Sequence, residues 1–261
     1  MPRALRHFLP GHVWHITHRC HNREFYFEQE SYRRLWIDWL REAKDRYNVS
    51  VLNFIVTSNH IHLLVVAPRD MEGVPRAIQL VAGRTAQAFN KRQRRTGAFW
   101  EKRYTATAVE SGEHLGRCLL YIDLNMVRAK VVKHPKDWKH SGYHEIVRPK
   151  KQDRLIDRKK LVKKLDIEPN ELPKQYEAWV KQALKQGNLR RNAVWTSSLA
   201  AGSEAFADKI KRRLGNIKQH GPKLLNGPDH ALREDFGLYG EVLNNKFDWE
   251  IVQNKSNDIN G

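Results

Sequence analysis

Apolar and polar positions alternate one for one across Gly11–Cys20, where Val13, His15 and Thr17 interleave with Trp14, Ile16 and His18. A period of two predicts a strand with one buried face. Glu30–Tyr47 switches to helical spacing, with Leu35, Trp36, Trp39, Leu40 and Ala43 on one stripe, Ser31 placed to cap the start and Asn48 to stop it. Val49–Thr57 is an apolar run rich in β-branched residues. Ser58 and Asn59 separate it from His60–Val66, so the two runs predict an antiparallel hairpin. A second helix is expected over Val74–Arg94, where Pro75 suits the first turn and Ile78, Val81, Ala82, Thr85, Ala86 and Phe89 form the buried stripe. Thr105–Val109 reads as a fourth strand. Glu113–Asn125 reads as a third helix, with Leu115, Cys118, Leu119 and Ile122 on its apolar side. The order strand, helix, strand, strand, helix, strand predicts an α+β, ferredoxin-like antiparallel sheet with those two helices on one face. The third helix is an addition that covers the sheet elsewhere.

Beyond Tyr143 the pattern changes. Arg148–Lys164 is dense in Lys and Arg and reads as a basic connection leading into helix. Further helices are expected over Tyr176–Lys185 and Ser203–Leu214, with breaks at Gly187, Gly202 and Gly215. Two domains follow: residues 1–148 as the ferredoxin-like unit, and 149–261 as a basic, mainly helical C-terminal extension whose last stretch, Gln253–Gly261, is expected to fray. Composition adds a partner class. The 47 Lys and Arg against 29 Asp and Glu leave a formal charge of +18, which favours a polyanion, nucleic acid first. The two cysteines, Cys20 and Cys118, are too few and too distant for a zinc knuckle or a disulfide framework and are expected to be reduced thiols. With no apolar run of membrane-spanning length and no apolar segment after the first charges, the chain is expected to be cytoplasmic.

The candidate chemistry centres on His60-Ile61-His62. Alternation puts both imidazoles on one strand face and Ile61, Leu63 and Val65 on the other. Two such imidazoles suit one divalent ion, or form an ordinary polar strand face. Four further histidines, His12, His15, His18 and His21, are spread over both faces of the first strand, so most are expected to be surface or nucleic-acid contacts. On the third helix, Tyr121 and Asn125 stand four apart and share a face. Asn125 offers an amide oxygen to a hard cation and Tyr121 a phenolic nucleophile. The plainer reading makes Tyr121 a core tyrosine and Asn125 a helix-terminal residue.

His60-Ile61-His62 followed by Tyr121-Ile122-Asp123-Leu124-Asn125-Met126-Val127-Arg128-Ala129 resembles the single-tyrosine HUH transposases of the IS200/IS605 type, most closely their REP-associated tyrosine transposase branch. Trp14-His15-Ile16-Thr17 with Arg19, Phe89-Asn90-Lys91-Arg92, and Gly97-Ala98-Phe99-Trp100 through Arg103-Tyr104 extend the resemblance over residues 11 to 147. It implies a ferredoxin-like fold and a metal-dependent endonuclease and strand transferase for single-stranded DNA bearing REP-like hairpins. Tyr121 would form a 5′-phosphotyrosine, and His60, His62 and Asn125 would hold Mg²⁺ or Mn²⁺. Arg19, Lys91, Arg92, Arg94, Arg95, Lys102, Arg103 and Arg128 would contact phosphates. The chain departs from the branch in having Met126 where proline is common and Asp123 where histidine often stands. Asp123 therefore competes with Asn125 as the third ligand. The resemblance implies a monomer, with a dimer donating Tyr121 in trans as the alternative. Two other functions stay open: a catalytically silent hairpin-binding protein, and a zinc hydrolase using water.

Overall fold

Four strands pair antiparallel in the order β2-β3-β1-β4, where β1 is Val13–Arg19, β2 Ser50–Val56, β3 His60–Val66 and β4 Thr105–Val109. With α1 (Glu30–Arg46) and α2 (Gly73–Arg92) between them, this is the split βαβ sheet expected from the element order. The structure is a computed structural model that describes residues 7–149, 154–187 and 192–220, with side chains of the last helix as far as 215. Gln253–Gly261 lies outside the described residues.

The sheet separates two chemically different layers. On one face Trp14, Ile16, Phe54, Ile61, Leu63 and Val65 pack against Tyr32, Trp36, Leu40 and Ala43 of α1 and Val74, Ala77, Ile78, Val81 and Phe89 of α2. Each large apolar side chain buried there contributes about 1.5–3 kcal/mol, which is why both helices take this side. α1 ends where Asn48 adopts a left-handed conformation (φ 51°), as its stop role predicts. Its first turn follows Gln29 rather than Ser31.

The other face carries His15, Thr17, His62, Asn53 and Thr107, and it is covered by α3 (Glu113–Asp123) and the C-terminal helices. The third helix is shorter than its pattern predicts. The backbone at Leu124 leaves helical geometry (ψ 3°), and a separate turn, α4 (Asn125–Arg128), follows. After α5 (Tyr143–Val147) come α6 (Arg158–Leu165), α7 (Leu172–Gln186), α8 (Val194–Ser197), β5 (Ala200–Ala201) and α9 (Glu204–His220). β5 joins β4 in parallel, so the sheet has a fifth strand that the expectation of a purely antiparallel sheet lacked. Two alanines carry no periodicity to announce a strand. Among the described residues no helix is long and apolar enough to cross a membrane.

The outer edge of β2 is closed by single bridges from Ser141 and Ile156, which removes unpaired backbone groups. Gly142 packs closely against that edge. A Cβ there would sit 2.3 Å from Asn53 Oδ1 and 2.8 Å from Ile156 Cδ1. Gly142→Ala is therefore expected to cost about 1–3 kcal/mol by overpacking, read as a lowered urea midpoint at unchanged slope; an unchanged midpoint would show that the edge yields freely.

Candidate functional site

His62 is the hub of the polar layer. Register pairs Thr17 with His62 and Arg19 with His60, so these four side chains share the face under α3. Asn125 Nδ2 lies 3.0 Å from His62 Nε2. The Tyr121 ring stands edge-on to His62, with centroids 5.6 Å apart and planes at 89°. His60 and His62 lie 5.0 Å apart at 80°. The bend at Leu124 does not separate the helix pair, because Leu124 N–H still donates to Leu120 C=O and Ala129 N–H to Asn125 C=O. Tyr121 and Asn125 thus reach the same imidazole.

Asp123, two residues from each, goes elsewhere. Its carboxyl is buried and accepts from the Tyr176 hydroxyl of α7, with the Asn53 amide beside it. Burial is the main cause that pushes it up to about 7, partly offset by those hydrogen bonds. Of the two candidates for a third ligand, only Asn125 faces the histidines.

The expectation that the first-strand histidines lie at the surface fails for two of them. His15 and His18 are buried. His18 stacks on Trp100 with centroids 3.9 Å apart and bonds the Lys102 carbonyl, while the Trp100 indole donates to Ala82 C=O, so both rings are structural. His15 belongs to the site: its Nε2 lies 2.9 Å from His62 Nδ1 and its Nδ1 2.7 Å from the Trp195 carbonyl. Trp195 also brings its ring within 6.2 Å of Tyr121. Alternation alone places His15 two residues from Thr17 on the face that β1 shares with β3, a signal that becomes usable only once strand register is known.

Burial pushes His15 down to about 4 and His62 well below the usual imidazole range. Both are neutral at physiological pH, the state in which imidazole binds metals. His60 directs Nδ1 at Asn59 Oδ1, 2.7 Å away, with Thr57 Oγ1 at 2.9 Å. An amide oxygen only accepts, so His60 carries a proton on Nδ1, and in the neutral ring Nε2 is the nitrogen that could face an ion. Among the described residues no three His, Cys, Asp or Glu side chains gather into a metal cluster. The donor set here is two imidazoles and one amide, which fits a divalent ion that completes its shell with anionic oxygens from elsewhere.

The basic residues divide into two groups. Arg128 places its guanidinium 4.5 Å over the Tyr121 ring and donates to the Tyr121 carbonyl. Arg128 and Arg19 both act electrostatically on His62. The loop bearing Lys102 and Arg103 runs along the end of β1, where Cys20 bridges Trp100 and Glu101 N–H donates to the Arg19 carbonyl. Lys91, Arg92, Arg94 and Arg95 form the second group at the end of α2. There Arg92 and Arg95 lie over the rings of Tyr32 and Tyr26, and Lys91 and Arg94 are exposed.

A split βαβ sheet that presents two histidines on one strand to a tyrosine and an asparagine one helical turn apart defines a class by its topology and its site together. Residues 10–125 match the model of the family described as IS200-like transposases. No curated protein matches the chain. Among solved structures, a REP-associated tyrosine transposase bound to a REP hairpin is 19% identical, covering 56% of this chain and 86% of that one at a TM-score of 0.49. A crystal structure described as a transposase from Deinococcus radiodurans is 16% identical over 50% of this chain and 92% of that one, at a TM-score of 0.33. Neither likeness is close enough to carry an argument about function.

Proposed function

We propose that this chain is an IS200-like transposase that cleaves and rejoins single-stranded DNA bearing REP-like hairpins, with Tyr121 as nucleophile and a divalent ion held by His60, His62 and Asn125. The observation that carries the reading is the convergence of Tyr121 and Asn125 on His62 within one chain, which also supports a monomeric site over one completed in trans.

Tyr121 Oη attacks the scissile phosphorus, forming the P–Oη bond as the bond to the 3′ oxygen breaks. The products are a 5′-phosphotyrosine and a 3′-hydroxyl, and attack by another 3′-hydroxyl reverses the step. A bound divalent ion would polarise a non-bridging phosphate oxygen and orient the phosphate for in-line attack. Mg²⁺ and Mn²⁺ both suit phosphate chemistry, and the two imidazoles favour Mn²⁺. Arg128 sets a fixed positive charge over the ring, where it stabilises the negative charge that develops on the phenolic oxygen. Arg19, Lys102 and Arg103 lie at the end of the sheet that carries His60 and would steer the strand to the site. The α2 cluster would contact phosphates farther along it, each contact adding about 0.7 to the log-log salt slope.

A labelled hairpin-bearing oligonucleotide incubated with the protein and Mn²⁺ should give a denaturation-resistant protein–DNA adduct that chelation abolishes. Binding without adduct across several hairpins would instead establish a silent hairpin-binding protein, and hydrolysis without adduct would point to water as nucleophile.

A further inference from the structure

His15 has no role in the chemistry above, yet it is buried and makes both of its hydrogen bonds at the site. The direction of those bonds follows from their partners. A main-chain carbonyl only accepts, so the 2.7 Å contact with Trp195 requires the proton on His15 Nδ1. In the neutral ring Nε2 is then an acceptor, and the group it faces at 2.9 Å is His62 Nδ1, which must donate. A proton on His62 Nδ1 leaves Nε2 unprotonated, and the Asn125 amide nitrogen at 3.0 Å from that atom is a donor placed for its lone pair. The chain of bonds therefore closes consistently from both ends. Thr17 Oγ1, 3.4 Å from His62 Nδ1, is a hydroxyl that can accept as well as donate and so is compatible with this tautomer.

We infer that His15 is a positioning residue: with the Trp195 carbonyl it holds His62 in the tautomer and ring orientation that keep Nε2 unprotonated, its lone pair accepting from the Asn125 amide here and available to a divalent ion. This rests on the metal-site reading proposed above. It also assigns a task to the C-terminal segment, because the acceptor that sets the relay comes from α8, 180 residues along the chain. Outer partners of this kind are what fix tautomer and basicity in a histidine ligand, and losing one typically lowers metal affinity 10–100-fold.

The test is a long-range ¹H–¹⁵N histidine spectrum of the full chain, with the His62 signals assigned by their loss in His62→Gln. The expected wild-type result is a proton on His62 Nδ1 without any metal; a proton on Nε2 overturns the inference before any His15 variant is made. His15→Leu removes the acceptor and should give mixed tautomers, and broadening of His62 by Mn²⁺ should need about tenfold more ion or beyond. His15→Gln retains one donor and one acceptor and should restore both readouts. An unchanged tautomer and unchanged Mn²⁺ response in folded His15→Leu would overturn the proposal. Should wild-type His62 show the expected tautomer but no Mn²⁺ broadening, the metal-site reading fails while the relay stands.

Discussion

Tyr121→Phe is expected to abolish the covalent protein–DNA adduct, a loss on the order of 10⁴-fold or more in cleavage, while hairpin affinity changes by less than about twofold. The substitution removes one oxygen and leaves the ring that stands edge-on to His62 and under Arg128. Ring packing, helix geometry and the surrounding cations persist, so the change is confined to the hydroxyl proposed as the nucleophile. A gel assay for adduct beside a fluorescence-anisotropy titration separates the two quantities. Adduct formation that survives in Tyr121→Phe would move the nucleophile to another residue; loss of adduct together with loss of binding would show that the hydroxyl serves recognition as well. Arg128→Gln makes a useful companion, because it should slow cleavage and leave the tyrosine in place.

The second large effect concerns stability. Asp123→Asn is expected to stabilise the protein by as much as about 4 kcal/mol at pH 8, and by clearly less at pH 5. Burial raises the Asp123 carboxyl from 3.8 to about 7. A carboxyl whose folded pKa exceeds its unfolded value carries no penalty at low pH. As pH rises from about 4 to about 7 the unfolded chain releases its proton more readily than the folded one, and stability falls. Asparagine keeps an acceptor for the Tyr176 hydroxyl and removes the charge. The buried histidines act in the opposite sense: His15 and His140 are pushed down to about 4 and His62 is held well below its usual range, so the unfolded state gains protons as pH falls below 6.5. Between pH 4 and 6.5 the three imidazoles outweigh one carboxyl, and wild-type stability should rise with pH. That rise should steepen in Asp123→Asn. Urea unfolding at several pH values measures both slopes, and an equal gain at pH 5 and pH 8 would show that ionisation of Asp123 is not the cause.

Much of this was legible in the residues themselves because periodicity is a local property. Alternation in Val13–Arg19 and His60–Val66, and helical spacing in the segments that became α1 and α2, place each apolar side chain on the face it occupies. The same geometry puts His60 with His62, and Tyr121 with Asn125, before any strand is paired. Asp123 was ambiguous for the complementary reason: a position on a helix states which way a side chain points, and says nothing of what waits there. Tyr176, more than fifty residues on, supplies the partner that draws Asp123 away from the histidines.

Sequence by itself therefore determined the order of β1 to β4 with α1 and α2, the polarity of each sheet face, which residues pair on one strand or helix face, and the basic charge. Tertiary structure decided which pairs meet. The register of β1 on β3 sets Thr17 opposite His62 and thereby brings His15, a residue the pattern left among surface histidines, into hydrogen-bond contact with the central imidazole. The packing of α8 decides which carbonyl receives the His15 proton. Strand register and helix docking depend on the sum of many side-chain contacts across the sheet, each too weak to leave a mark in any one segment, and so they become fixed only when the whole layer closes.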